Sequence, residues 1–243
     1  MQETVFTFKR YERKYLLSPQ QLDRLWARLA EHLVPDHFFQ STVCSLYYDS
    51  ADFQLIRHSL DKPVYKEKLR LRSYGVPGPD DPVFIELKKK FKGVVYKRRV
   101  ELPAALAEQY LAGETRPAEE GQILREIDYV LETHHLSPRA YIACDRTAWV
   151  DREEPALRIT FDRDLRWRDT DLSLTAGSHG QPLLPGGEIL MEIKVPTAAP
   201  LWLAHMLSEL EIFSRSFSKY GTCYRQALLK KTFSWSDRLC LTV

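Results

Sequence analysis

One segment of the sequence, residues 64–74, constrains the fold more than any other because charged and apolar residues alternate along it. Successive side chains of a β-strand point to opposite faces of the sheet, so this alternation predicts a strand with two unlike faces. One face carries the cations Lys66, Lys68, Arg70 and Arg72, and the other carries Tyr65, Glu67, Leu69 and Leu71. Such a strand buries its apolar face and sets four cations side by side on the other.

The same two-faced pattern recurs elsewhere in the chain. Within residues 4–17, Arg10, Glu12 and Lys14 are spaced two residues apart and therefore share one strand face. Glu86 and Lys88 share one face of a strand in the same way. The sequence therefore repeatedly mixes charges of both signs on one face of a strand.

Turn residues and further alternating segments predict the rest of the sheet. A hairpin turn is predicted at 77–81, which is rich in Gly, Pro and Asp, and another at 92–93, where Gly follows Lys. The remaining strands are predicted at 41–48, 94–103, 139–150, 156–169 and 188–195. About eight strands joined mostly by hairpins favour a closed antiparallel β-barrel.

Helices are predicted between and after the strands. Ser18 is a typical N-cap and Pro19 a typical first helical residue, so a helix is predicted at 20–32. Further helical segments are predicted at 103–135, 200–212 and 219–233. The expected fold is thus α+β: a single domain covering residues 1–243, in which helices pack outside an eight-stranded antiparallel β-barrel.

Two arrangements would satisfy the charged strand faces. In the first, each charged face is the solvated side of a sheet that buries its apolar side, which is the usual outcome for an alternating strand. In the second, helices cover the apolar faces and the charged faces line the bore of the barrel. Because unpaired buried charge is costly, a bore rich in Lys and Arg would need an anion. The second arrangement therefore predicts a polyanion-binding bore.

The residue types of that bore suit phosphate. Arg offers a planar fork that matches two phosphate oxygens, and Lys offers a compact positive charge. Side chains on one strand face repeat every ~6–7 Å, which suits successive phosphates of a chain. Glu12, Glu86 and Glu192 could bind Mg²⁺ or Mn²⁺ beside phosphate oxygens, or could form cross-strand ion pairs with Lys and Arg.

Bulk properties exclude several other classes of protein. The net charge of the 243 residues is only +2, so there is no general basic excess to hold nucleic acid. The four cysteines are widely spaced and show neither a CxxC pair nor zinc-finger spacing. The N-terminal segment is polar and no run of about 18 apolar residues occurs, so neither a signal peptide nor a membrane span is predicted, and a cytoplasmic location is expected.

Seven segments taken in order resemble the VTC-type polyphosphate polymerase domain, a family of triphosphate tunnel metalloenzymes related to the CYTH domain. They are RYERKYLL, KLRLRSYG, FIELKKK, RTAW, LRITFDRDL, LMEIKV and FSKYGTCY. The resemblance extends from about residue 6 to residue 229. It implies an eight-stranded tunnel that binds ATP and inorganic polyphosphate and transfers the γ-phosphate of ATP to a growing chain, with Mn²⁺ or Mg²⁺.

The resemblance also implies roles for particular residues. The phosphate ligands it implies are Lys14, Lys68, Arg70, Arg72, Lys88, Arg146, Arg158 and Lys219, the last at the tunnel mouth. The catalytic residues among them are Arg70, Arg72, Lys88, Arg146 and Arg158. The metal ligand it implies is Glu192, while Glu12 and Glu86 are candidate metal ligands because they lie among the cations. Arg10, Glu12, Lys68 and Lys194 adjoin these motifs and are candidates for that reason.

Two other functions fit the same pattern. A tunnel triphosphatase would use the charged bore with water as the acceptor, and a carboxylate such as Glu12 could then orient that water. A non-catalytic polyphosphate-binding module would hold the chain without turnover. Eukaryotic members of the family add a phosphate-sensing domain and membrane segments that this sequence lacks, so translocation of a product would require a separate membrane partner.

Overall fold

The computed structural model describes residues 3–8, 11–92, 94–118 and 121–229, with backbone alone for residues 3–8. Its strands are β1 (Glu3–Phe8), β2 (Tyr11–Leu17), β3 (Leu33–Asp49), β4 (Tyr65–Tyr74), β5 (Pro82–Phe91), β6 (Val94–Pro103), β7 (Ser137–Asp151), β8 (Arg158–Arg168), β9 (Gln181–Pro182) and β10 (Ile189–Val195). Its α-helices are α1 (Pro19–Leu29), α2 (Gln54–Leu60), α3 (Ala104–Leu111), α4 (Gln122–His134), α5 (Leu201–Glu209) and α6 (Lys219–Cys223). A 3-10 turn (Pro185–Gly187) precedes β10, and a π-helical turn (Tyr224–Leu228) follows α6.

All ten strands belong to one antiparallel sheet. Its order is β1-β6-β5-β4-β3-β7-β8-β10-β2, and β9 pairs with β8. The two end strands, β1 and β2, are consecutive in the chain, but no ladder joins them within the described residues. The antiparallel sheet with packed helices is therefore confirmed, whereas the closed eight-stranded barrel is not. The predicted Arg10, between these two strands, lies outside the described residues.

The third strand is longer than the sequence predicted. β3 begins at Leu33 rather than near residue 41, and its first residues pair with the far end of β7, where Leu33 faces Asp151. Pro35 obscured this extension because proline is usually absent from the interior of a sheet. The ladder shifts register between Pro35 and Gln40, which accommodates it.

Helices cover the apolar face of the sheet on both sides of β3 and β7, as predicted. Over β4, β5 and β6, residues of α3 and α4 such as Ile127 form a buried cluster with Leu71 and Ile85. Over β2, β8 and β10, α1 and α5 form a second cluster in which Leu25 packs with Met191. Within the described ranges, no helix is long and apolar enough to cross a bilayer.

The C-terminal helix packs on the opposite face of the sheet. Tyr220 of α6 stacks on Tyr47 of β3 with 4.7 Å between ring centroids, and its hydroxyl donates a hydrogen bond of 3.0 Å to the buried Asp49. Ile142 and Leu190 belong to the same apolar cluster. The predicted helix at 219–233 is observed as α6 and the π-helical turn, and residues 230–233 lie outside the described residues. This packing seats Lys219, the first residue of α6, on the charged face.

Candidate functional site

The register of the sheet gathers the predicted charged residues onto one face, which we call the inner face and which lies opposite the apolar clusters covered by α1, α3, α4 and α5. Residues that face each other across an antiparallel ladder project from the same side of the sheet. Between β4 and β5, Arg70 faces Glu86 and Lys68 faces Lys88. Across the ladder between β5 and β6, Lys88 in turn faces Lys97.

The same reasoning applies to the other half of the sheet. Arg146 of β7 faces Asp162 of β8, and Thr160 of β8 faces Glu192 of β10. Glu192 faces Lys14 of β2. The remaining pairs on this side are Arg158 with Lys194 and Lys194 with Glu12. The inner face therefore holds every predicted site residue that the structure describes, except that Lys219 reaches it from α6.

Glu86 is the centre of a first group of charges, the Glu86 cluster. Its side chain is 1% exposed, and Oε2 lies 2.6 Å from Nη2 of Arg70 and 3.7 Å from Nη1 of Arg72. Oε1 lies 2.5 Å from Nζ of Lys97. Burial alone would raise the pKa of Glu86, but these three cations hold that pKa well below its ordinary value. Glu86 is thus ionised at neutral pH and leaves the cluster with excess positive charge.

Glu192 is the centre of a second group, the Glu192 cluster. One carboxylate oxygen lies 3.2 Å from Nζ of Lys14 and 3.9 Å from Nζ of Lys219, and the other lies 3.6 Å from both Arg146 and Lys194. Burial would raise the pKa of Glu192, yet the four cations keep that pKa well below its ordinary value. This carboxylate therefore stays charged in a buried position.

Asp162 adjoins the Glu192 cluster and was missing from the sequence prediction. It is fully buried and accepts two hydrogen bonds from Arg146, of 2.6 and 2.7 Å, and one from Lys219. Burial opposes its ionisation, but Lys219 and Arg146 lower the pKa of Asp162 to about 2. Asp162 thus orients both cations towards Glu192.

The two clusters face each other across a concave surface. Burial lowers the pKa of Lys88, on β5, to about 8. Two residues of β2 also act on this pKa: Glu12 raises it and Lys14 lowers it. Lys68 of β4 donates a hydrogen bond of 3.2 Å to Ser218 beside α6. The sheet must curve strongly for residues of such distant strands to interact.

Positive charge is in excess on this concave surface. Burial, followed by repulsion from Lys88, Lys66 and Lys14, lowers the pKa of Lys68 to about 7. Burial is the larger cause, and the charged groups that lower this pKa further are all cations. An anion placed between the two clusters would relieve this repulsion.

Arg158 lies at the edge of the Glu192 cluster, across the ladder from Lys194. Its side chain is 40% exposed and its Nε lies 2.6 Å from Asp36 of β3. It faces Lys194 across the ladder, so it extends the row of inner-face cations towards solvent. The structure therefore places Arg158 at the periphery of the site rather than beside Glu192.

Lys97 and Arg99 of β6 were also missing from the sequence prediction. Lys97 contacts Glu86, and the guanidinium of Arg99 lies 3.3 Å from the ring centroid of Phe84. Only two residues separate β5 from β6, and so short a connection fixes which residues face each other. Counting outward from that connection pairs Lys97 with Lys88, and this count would have identified Lys97 as a site residue.

The carboxylates fit a divalent metal that is shared with a phosphate ligand. Mg²⁺ is commonly held by one or two carboxylates together with substrate phosphates. Glu12 and Glu192 each lie 3.2 Å from Nζ of Lys14, so both carboxylates border the same part of the inner face. No group of three or more His, Cys, Asp or Glu side chains in the described ranges could hold a metal. Glu86 contacts cations in the other cluster, and its role as a metal ligand stays a prediction.

Known structures share this fold. A candidate adenylate cyclase from Bacillus halodurans aligns with a TM-score of 0.54 and 15% identity, covering 87% of this chain and 95% of that one. A candidate adenylyl cyclase from Hippeastrum, for which a dominant triphosphatase activity is described, aligns with a TM-score of 0.50 and 18% identity, covering 88% of this chain and 94% of that one. At these identities the likeness concerns the fold alone.

Sequence comparison is more specific. Vacuolar transporter chaperone complex subunit 4 of Trypanosoma cruzi (strain CL Brener) is 27% identical over 271 aligned positions, which cover 88% of this chain. The alignment covers 33% of that protein, so this chain spans about a third of its relative's length. The family model described as the VTC domain matches residues 9–228. The resemblance found in the sequence motifs is thereby confirmed, and the chain belongs to the VTC domain family.

Proposed function

We propose that this chain is a polyphosphate polymerase domain that transfers the γ-phosphate of ATP to the end of a growing polyphosphate chain. The observation that carries the proposal is the excess of buried cations on the concave inner face, where burial and neighbouring cations lower the pKa of Lys68 to about 7. Membership of the VTC domain family supports the same substrate class.

The inner-face cations have two roles in this proposal. Arg70 and Arg72 bind phosphates of the chain, because a guanidinium can contact two oxygens of one phosphate. Arg146 and Lys219, both oriented by Asp162, neutralise charge on the transferring phosphoryl group beside Glu192. Phosphoryl transfer is catalysed mainly by such in-line positioning and charge neutralisation.

Glu12 and Glu192 would hold Mn²⁺ or Mg²⁺ together with phosphate oxygens. The ion, when bound, would neutralise further charge on the phosphates. The attacking group is a terminal phosphate oxygen, which is already ionised at neutral pH. The protein therefore needs no general base for chain extension.

A triphosphatase is the second candidate function. The Hippeastrum protein of the same fold, described with a dominant triphosphatase activity, motivates it. Water would then replace the polyphosphate end as acceptor, and Glu12, a third of whose side chain is exposed, would be placed to orient it. A binding module without turnover is the third alternative and needs only the cations.

Incubation of the purified protein with ATP and Mn²⁺, with products resolved by gel, separates these functions. We expect long polyphosphate, which disappears with chelator and in Arg70→Ala and Glu192→Ala. Arg98→Ala is the matched control, because Arg98 of β6 projects outward and pairs with Glu126 of α4. Orthophosphate without chains would establish the triphosphatase instead, and polyphosphate binding without turnover would establish the binding module.

We further propose that the domain works in the cytoplasm beside a separate membrane partner. The relative from Trypanosoma cruzi is named as a subunit of a vacuolar transporter chaperone complex, which motivates this extension. Co-purification of the chain with a membrane protein from its source cells would support it. Recovery of the chain alone after mild cross-linking would argue against it.

A further inference from the structure

Thr160 occupies the middle of β8 and is the one uncharged side chain between Arg158 and Asp162 on that strand's inner face. It faces Glu192 of β10 on one side and Ala148 of β7 on the other. Thr160 is 0% exposed. Its hydroxyl oxygen has no hydrogen-bond partner among the residues that the structure describes.

A buried hydroxyl without a partner is unusual, because burial removes its bonds to water. Valine has the same shape and would fill the position without that penalty. The hydroxyl therefore points to a partner that joins the site when it is in use.

The neighbouring side chains indicate the chemistry of that partner. The carboxylates beside it on the inner face, Glu192 across the ladder and Asp162 two residues along β8, pair with Lys14, Lys219 and Arg146, and neither accepts a hydrogen bond from Thr160. Lys and Arg have no acceptor atoms, so they cannot accept a hydrogen bond from the hydroxyl. An incoming anion with several acceptor oxygens would satisfy the hydroxyl and the surrounding cations together.

We propose that the Thr160 hydroxyl donates a hydrogen bond to an oxygen of the phosphate that binds in the Glu192 cluster. This inference rests on the proposed function, because it assigns one contact of the phosphate that the inner face would bind. Lys14 and Lys219 pair with Glu192 and Asp162, the two carboxylates that neighbour Thr160 on the inner face. Phosphate oxygens that compete for those ammonium groups would be brought next to the hydroxyl.

The test compares Thr160→Val, Thr160→Ser and the control Thr147→Val. Thr147 of β7 faces Phe161, whose side chain belongs to the outer apolar cluster. We expect Thr160→Val to melt about 2–4 °C higher than the wild type, because the unpaired hydroxyl is gone. We also expect it to bind sodium tripolyphosphate about tenfold more weakly in calorimetry, because a hydrogen bond to a charged group is lost.

Thr160→Ser should retain wild-type affinity, and Thr147→Val should leave affinity unchanged. The proposal is overturned if Thr160→Val binds tripolyphosphate as tightly as the wild type, or if Thr160→Ser is as weak as Thr160→Val. A wild type that binds tripolyphosphate through Thr160 but builds no chain from ATP would reject the polymerase and keep this contact. A wild type that binds no tripolyphosphate would reject both.

Discussion

Replacing Glu86 with Gln removes the carboxylate that pairs with Arg70, Arg72 and Lys97 while keeping the shape of the side chain. Breaking a buried ion pair by removing one partner costs about 3–5 kcal/mol of unfolding free energy. Arg70 and Lys97 keep 21% and 24% of their side chains exposed, so we take the lower end of that range. For a chain of this size, about 3 kcal/mol corresponds to a melting temperature lower by about 6–12 °C.

Glu126→Gln is the matched control for this change. Glu126 of α4 also pairs with two cations, with Lys89 at 2.9 Å and Arg98 at 3.4 Å, but on the outer face and at 20% exposure. Such a partly exposed pair is worth about 1 kcal/mol or less, so the melting temperature should fall by less than about 4 °C. Thermal unfolding followed by circular dichroism measures both variants.

The effect of tripolyphosphate on the melting temperature is a second test of the Glu86 cluster. Phosphate oxygens can replace the missing carboxylate among the three cations, so the ligand should raise the melting temperature of Glu86→Gln more than that of the wild type or Glu126→Gln. Equal losses of stability in Glu86→Gln and Glu126→Gln would refute the buried cluster. If tripolyphosphate raised the melting temperature of Glu86→Gln less than that of the wild type, the view that these cations bind an anion would be refuted.

The dependence of stability on pH has a definite sign for this residue. The pKa of Glu86 is lowered in the folded protein, so its contribution is present above the pKa of an unfolded glutamate. That contribution is lost as the pH falls towards the pKa of Glu86 in the folded protein. Glu86→Gln should therefore lose less stability than the wild type when both are acidified.

Two further predictions concern proton uptake and the attachment of α6. Because the pKa of Lys68 is about 7, that lysine is mostly neutral at pH 8 in the free protein, and a bound polyanion should raise the pKa and take up a proton. Calorimetry of tripolyphosphate binding in two buffers of different ionisation enthalpy should show this uptake, and Lys68→Met should reduce it; identical uptake in both proteins would contradict the assignment. Tyr220→Phe removes the hydroxyl that donates to buried Asp49, so urea unfolding should show a loss of about 1–3 kcal/mol, and an unchanged midpoint would count against this anchor.

The alternation of residues 64–74 was enough to predict which side chains of β4 share the inner face. Each strand face follows from the two-residue period, so Lys68, Arg70 and Arg72 could be placed without knowledge of their neighbours. The same period applied to β8 places Asp162 with Arg158, although Asp162 was not among the predicted site residues. Local periodicity therefore carries most of the information about the inner face.

Contacts between distant parts of the chain could not be predicted in this way. The pairing of Arg158 with Asp36 depends on the early start of β3, which Pro35 obscured. The hydrogen bond from Lys68 to Ser218 depends on how α6 packs against the inner face. Both are set by packing between segments far apart in sequence, about which a strand's own pattern carries no information.

The central claim is that the inner face, rather than the outer one, binds polyphosphate. Titration calorimetry with sodium tripolyphosphate tests it in the wild type, Arg70→Ala and Arg98→Ala. The two arginines lie in nearby strands of one sheet, but Arg70 is on the inner face and Arg98 is on the outer face. The inner-face account predicts that Arg70→Ala weakens binding by about 10- to 100-fold, as expected for a lost charge-assisted contact, and that Arg98→Ala binds like the wild type. Equal affinity for Arg70→Ala and the wild type, or a larger loss in Arg98→Ala, would contradict the account.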